Sequence, residues 1–311
     1  MKHYPIQDDQ TNLSIQFQSV ASIFNNKFDP NYDYTYSINK KNPITMHRSE
    51  EILNERLNLN LVDDESVVYK YNKDNFRCDN FGISHNKKHI LFSGCSETEG
   101  VGGNIESNWS HMLYSSIKDL HGASGYYNLG IAGNGYLKII NNIMVYIENF
   151  GKPDVIFILF PNISRWIDWV DEDLGYQHIG LDPFTLNPKK TANPSDEKTL
   201  MVNILNFIST VKIFEKYCKS TGIKLFWSTW DVYDEKTYIA LQKNSTIKRF
   251  VPMQSLDFHK SLSASNLEKE EFSKFQKNMF RRDGHLGQVF HNHYYDVFLD
   301  RYKKEVTDAN L

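Results

Sequence analysis

Four short stretches of this 311-residue chain hold the residue types that acyl transfer needs. They are Gly94-Cys95-Ser96-Glu97-Thr98, Asn128-Leu129-Gly130-Ile131-Ala132-Gly133, Pro161-Asn162-Ile163-Ser164-Arg165 and Arg282-Asp283-Gly284-His285-Leu286-Gly287. A serine hydroxyl is a weak nucleophile until an imidazole takes its proton. The imidazole needs a carboxylate to hold its tautomer and to steady the imidazolium. The tetrahedral oxyanion needs N–H donors already in place, each worth about 3–4 kcal/mol of barrier. Ser96 offers the hydroxyl, and its own N–H, the Gly130 N–H and the Asn162 side-chain amide are candidate donors. Asp283 and His285 are the candidate carboxylate and imidazole. Cys95 is a rival nucleophile in the same turn; neighbouring residues point in different directions, so only one of Cys95 and Ser96 can face a pocket.

The elements that must position these residues are legible as strands alternating with helices. Short apolar runs at His89–Ser93, Tyr126–Leu129, Val155–Phe160 and Ile223–Thr229 read as strands, with a last one at Phe250–Pro252. Val155–Phe160 is continuously apolar, the mark of a parallel strand covered on both faces. Between them lie helical patterns. One carries Trp109, Met112, Leu113, Ile117 and Leu120 and stops at Gly122. The next carries Leu137, Ile140, Met144 and Ile147. A third is capped by Ser195, turns Leu200, Ile204, Phe207, Ile208, Val211, Phe214 and Tyr217 inward, and ends at Gly222. A final helix spans about Gly287 to Lys304. Residues 166–195, with two Asn-Pro steps, read as a long irregular loop. The expected fold is therefore α/β: a doubly wound, mostly parallel sheet in a flavodoxin-like three-layer arrangement, whose sites lie at the carboxyl ends of its strands. All four chemical stretches fall on that rim.

Residues 1–85 differ in texture, being rich in Asn, Asp, Tyr and Lys with one glycine, Gly82. A helix over Ser49–Leu59 and a strand over Val67–Tyr71 are expected there. The division is thus an N-terminal extension or small accessory module over 1–85 and a catalytic-type domain over 86–311, without a Pro- or Gly-rich linker between them. Lys plus Arg total 35 against 38 for Asp plus Glu, a net charge of −3. That balance excludes nucleic-acid or membrane binding by bulk charge. Three cysteines, Cys78, Cys95 and Cys218, make no disulfide framework and no CxxC. No apolar leader is visible at the N-terminus, and no run is long enough to span a bilayer. The expectation is a chain of the cytoplasm or of a virion, without membrane insertion.

With these stretches in order, residues 89–298 resemble the SGNH, or GDSL, hydrolases, whose four blocks centre on Ser, Gly, Asn and His. The resemblance implies Ser96, His285 and Asp283 as the triad and Gly130 and Asn162 as the oxyanion hole. It implies a serine esterase that needs no cofactor and acts on a small-molecule or glycan ester, an O-acetyl group on a carbohydrate being the favoured case. Two departures stand in the blocks. Cys95 replaces the first-block Asp, and Asp283 and His285 are separated by Gly284 alone where the family usually has two residues. The family's members with a Gly-Cys-Ser-x-Thr block occur in bacteriophage genomes, so the alternative is a non-catalytic binding or structural protein, such as a virion component, on the same fold. Residues 1–85 would then supply virion or homo-oligomer contacts. Arg165 and Trp166 are candidate substrate contacts, although an ordinary ion pair serves Arg165 equally well. Trp166, Trp169, Trp227 and Trp230 offer walls for a sugar groove, with at least two expected in the core or as loop anchors. His291 and His293 raise the idea of a metal with Asp283, but on a helix they point about 200° apart, and no metal is expected.

Overall fold

The computed structural model describes residues 34–36, 67–72, 74, 76–82, 88–101, 103–163, 165–171, 175–180, 197–254, 258 and 286–308. The expected helix at 49–59, the Ser195 cap and the candidate residues Asp283 and His285 lie outside the described residues. Two short strands, β1 (Tyr34–Tyr36) and β2 (Val67–Tyr69), pair antiparallel. The main body then runs β3 (Ile90–Gly94), α1 (Ser96–Glu99), α2 (Trp109–His121), β4 (Tyr126–Asn128), α3 (Tyr136–Phe150) and β5 (Val155–Phe160). It continues through β6 (Arg165–Asp171), β7 (Gly175–Gly180), α4 (Glu197–Thr221), β8 (Lys224–Thr229), α5 (Val232–Lys243) and α6 (Gln288–Asp308).

Strands β4, β3, β5 and β8 form one sheet in that spatial order, every pairing parallel. Counted along the chain within this sheet, the order is 2-1-3-4, and a parallel bridge from Trp227 to Phe250 adds the start of a fifth position. This is the flavodoxin-like order, whose switch point lies between the first and third strands, here β3 and β5. The α/β expectation holds.

Alternation along each strand sorts the side chains into two cores. Leu91, Ile156, Ile158, Phe160, Leu225 and Trp227 face α3 and α4. Ile90, Phe92, Val155, Phe157, Leu159 and Phe226 face α2 and α6. On that second face Phe157 stacks between Phe92 (5.5 Å) and Phe226 (5.0 Å), one ring from each of three adjacent strands. Phe298 of α6 meets Phe157 edge-on at 5.6 Å and stacks on Trp109 of α2 at 5.1 Å. Full burial of each such ring contributes about 1.5–3 kcal/mol.

Residues upstream of β3 are part of the first core. Phe76 and Phe81 are buried in it, and Phe81 meets Tyr146 of α3 at 5.1 Å. Arg77, itself buried, donates to the carbonyls of Glu99, Gly100 and Gly103.

Three local expectations need correction. The stretch 166–195 is not wholly irregular, because β6 and β7 form an antiparallel hairpin over 165–180 with a register shift between Trp169 and Asp171. Helix α3 does not bury Leu137 and Met144, each 37% exposed; its inner face is Tyr136, Ile139, Ile140, Ile143 and Tyr146. Tyr136 and Tyr146 bury their rings on this face, which rotates it away from Leu137 and Met144. Leu120 near the end of α2 is likewise 68% exposed. Among the described residues no helix is long and apolar enough to cross a membrane.

Candidate active site

Strand β3 ends in a turn so tight that its glycine is required. A Cβ on Gly94 would lie 2.1 Å from Thr98 Oγ1 and 2.7 Å from the Leu159 carbonyl of β5. The chain can hug the neighbouring strand there only without a side chain. Cys95 is the N-cap of α1, and its carbonyl accepts from the Thr98 and Glu99 N–H groups at 2.9 Å each. Ser96 is thus the first residue of α1, and its N–H takes no part in the helix's own bonding. Ser96 retains 5% exposure whereas Cys95 retains none. The Cys95 sulfur lies 3.9 Å from Ser96 Oγ and accepts from the Trp230 indole N–H at 3.4 Å.

The turn after β4 packs directly on α1. A Cβ on Gly130 would lie 2.5 Å from the Glu99 backbone nitrogen, so this position also demands glycine. The Gly130 N–H, one of the expected oxyanion donors, donates to Asn128 Oδ1 at 2.8 Å. The Asn128 amide in turn donates to the Thr98 carbonyl at 2.7 Å and to the Tyr126 hydroxyl at 2.8 Å. Glu99 closes the other side, accepting from Tyr71 Oη at 2.9 Å and from the Ala132 N–H at 2.6 Å.

Asn162 follows β5, whose pairing with β3 sets Leu159 opposite Gly94. Ser96 and Asn162 therefore emerge from adjacent parallel strands, about 4.8 Å apart by sheet geometry. The Asn162 amide nitrogen donates to Asp231 Oδ2 at 2.7 Å, and the next N–H, from Ile163, donates to Asp234 Oδ2 at 2.6 Å. The Asp234 N–H donates to Asp231 Oδ1 at 2.9 Å. Burial, and then the neighbouring Asp231 carboxylate, push the Asp234 carboxyl up to about 7, while the Ile163 N–H pulls the other way.

At the far end of the chain, the Leu286 N–H, directly after His285 in sequence, donates to Glu97 Oε1 at 3.3 Å. The other oxygen of Glu97 stands 3.7 Å from His291 Nε2, beyond hydrogen-bond distance. His291 Nδ1 accepts from the Trp109 N–H at 3.4 Å, which assigns the ring proton to Nε2 on the Glu97 side. His291 is buried where α6 packs on α2. His293 turns elsewhere, stacking on Phe258 at 3.9 Å and meeting the Met253 carbonyl.

The structure thus gathers Ser96, Gly130 and Asn162 at the carboxyl rim of β3, β4 and β5. Arg165 and Trp166 open β6, where only the backbone is described, Arg165 opposite Gly180 and Trp166 opposite Ile179. Trp227 is fully buried and donates to Glu215 at 2.9 Å, a core role, while Trp230 stands half-buried beside Cys95. Among the described residues no group of three or more His, Cys, Asp or Glu side chains could hold a metal ion. Asn128, Glu97, Asp231 and Asp234 were not found from the sequence. For Asn128 a signal existed, an Asn two residues before a glycine at a strand end; for the others the partner is distant in sequence.

No protein-family model matches the chain, and no curated protein matches it. Among solved structures it is similar to the crystal structure of a two-domain esterase, CEX, active on acetylated mannans. The TM-score is 0.39 and the identity 16%, over 69% of this chain and 49% of that one. The chain therefore spans about half the length of the structure it matches.

Proposed function

We propose that this chain is a serine hydrolase of SGNH type that cleaves a short acyl ester. The observation that carries this reading is the placement of Ser96 and Asn162 on either side of the β3/β5 switch point, where open α/β sheets bind their ligands. The Leu286-to-Glu97 hydrogen bond supports it, tying the residue after His285 to the residue after Ser96.

In this reading His285, steadied by Asp283, takes the Ser96 proton as Oγ attacks the acyl carbonyl. The Ser96 N–H and the Asn162 amide stabilise the oxyanion, and the Gly130 N–H adds a lesser share because Asn128 Oδ1 already accepts from it. Collapse expels the alcohol, which takes the proton from His285. Water, deprotonated by His285, then releases the acid and restores Ser96. Trp230 stands half-buried beside Cys95, an aromatic side chain of the kind that stacks on a sugar ring, and an O-acetyl group on a carbohydrate is the favoured ester.

Hydrolysis of p-nitrophenyl acetate by the wild type and by Ser96→Ala tests the reading. The expected loss in kcat is about 10⁴-fold or more. Equal rates in the two proteins would remove Ser96 as the nucleophile and bring Cys95 forward.

A further inference from the structure

Two carboxyls at the start of α5 grip the segment that follows β5, and nothing in the acyl-transfer scheme uses them. Asp231 Oδ2 accepts from the Asn162 amide and Asp234 Oδ2 from the adjacent Ile163 N–H, while the Asp234 N–H holds the second oxygen of Asp231. The arrangement is closed: the Glu235 N–H donates to the Asp231 carbonyl, and the Asp231 N–H donates to Thr229 Oγ1 at the end of β8. Both carboxyls retain only 9% exposure.

We infer that Asp231 is a positioning residue that fixes the Asn162 amide, with Asp234 clasping the backbone beside it. The inference rests on the reading of Asn162 as an oxyanion donor. A primary amide has two hydrogens and free rotation about χ2. A carboxylate that takes one hydrogen fixes the amide plane and the side on which its nitrogen lies, and so determines where the second hydrogen points. An oxyanion donor is effective only when oriented in advance, because reorientation during the reaction costs what the hydrogen bond returns. The like charges of Asp231 and Asp234 do not break the clasp. Asp234, raised to about 7, can carry a proton on one oxygen while the other still accepts from Ile163.

The test is a double-mutant cycle on p-nitrophenyl acetate with the full chain: wild type, Asn162→Ala, Asp231→Ala and the double variant. Asn162→Ala is expected to lower kcat about 10²–10³-fold. Asp231→Ala is expected to lower kcat about 10-fold with KM little changed, and to cost nothing further on the Asn162→Ala background. A purely structural Asp231 would instead lower the rate equally on both backgrounds, and that result overturns the inference. So does an unchanged rate in Asp231→Ala. If Asn162→Ala itself keeps the wild-type rate while Ser96→Ala loses it, the oxyanion reading fails first and by a different signature. Asp231→Asn, which keeps one acceptor oxygen for two donors, gives a milder variant should the alanine fail to fold. The Asn162 side-chain amide resonances, followed by ¹⁵N-asparagine labelling, report the clasp without any activity. One proton is expected downfield in the wild type and shifted upfield in Asp231→Asn or Asp231→Ala; unmoved resonances overturn the inference.

Discussion

Asp234 carries a proton over a pH range in which an unfolded aspartate has lost it. The unfolded carboxyl ionises near its ordinary 3.8, the folded one near 7. Between those values the native state binds more protons than the unfolded state, so stability from this group falls as pH rises through the window. Below about pH 4 the contribution is whole; above about 7 it is gone. Asp234→Asn stays neutral throughout and still offers Ile163 an acceptor. Its urea midpoint relative to wild type should therefore climb between about pH 4.5 and 7.5. A constant difference across that range would show that the carboxyl titrates normally. The same residue marks the limit of reading chemistry from the chain. Ser96 and Asn162 announce themselves because each directly follows an apolar strand. Asp231 and Asp234 acquire meaning from partners 69 and 71 positions away, which no local pattern encodes.

At the scale of elements, the turn from β3 into α1 is defined by what it excludes. Gly94→Ala drives a methyl into Thr98 and into the backbone of β5. The expected cost is about 3 kcal/mol, measured as a lower urea midpoint, with the Ser96 turn displaced alongside. An alanine variant of wild-type midpoint would mean that the two strands part more easily than their packing indicates. Helices were legible where Phe and Val marked the inner face, as on α4 with Phe207, Val211 and Phe214. They were misread where tyrosine does that work, as on α3. The β6–β7 hairpin escaped notice for another reason. Between its strands stands Glu172-Asp173-Leu174, without the Asn-Gly or Asp-Gly step that signals a tight hairpin.

Across the whole molecule, the parallel sheet was legible because burial on both faces leaves little room for polar residues, and Val155–Phe160 has none. The strand order agrees with the flavodoxin-like arrangement expected, whereas which helix covers which face was not legible, since that depends on the side to which each helix returns. The aromatic row on one face shows the consequence. Phe157→Ala should cost about 3–5 kcal/mol, because Phe92, Phe226 and Phe298 all lose their partner at once. Phe298→Ala should cost a similar amount, and a double variant less than the sum, as expected of residues in contact. Chemical denaturation of the three proteins measures both values. Ribosomal synthesis gives the same row a further meaning. Phe92, Phe157 and Phe226 are all polymerised before the helix that carries Phe298 and Tyr302, and at about 5–20 residues per second the interval lasts seconds. For that time the rings of the nascent sheet lack the cover that α6 brings, although Trp109 of α2 already packs on Phe92. A message broken ahead of α6 would therefore yield a chain whose aromatic row stays uncovered on that side, and that chain is expected to aggregate.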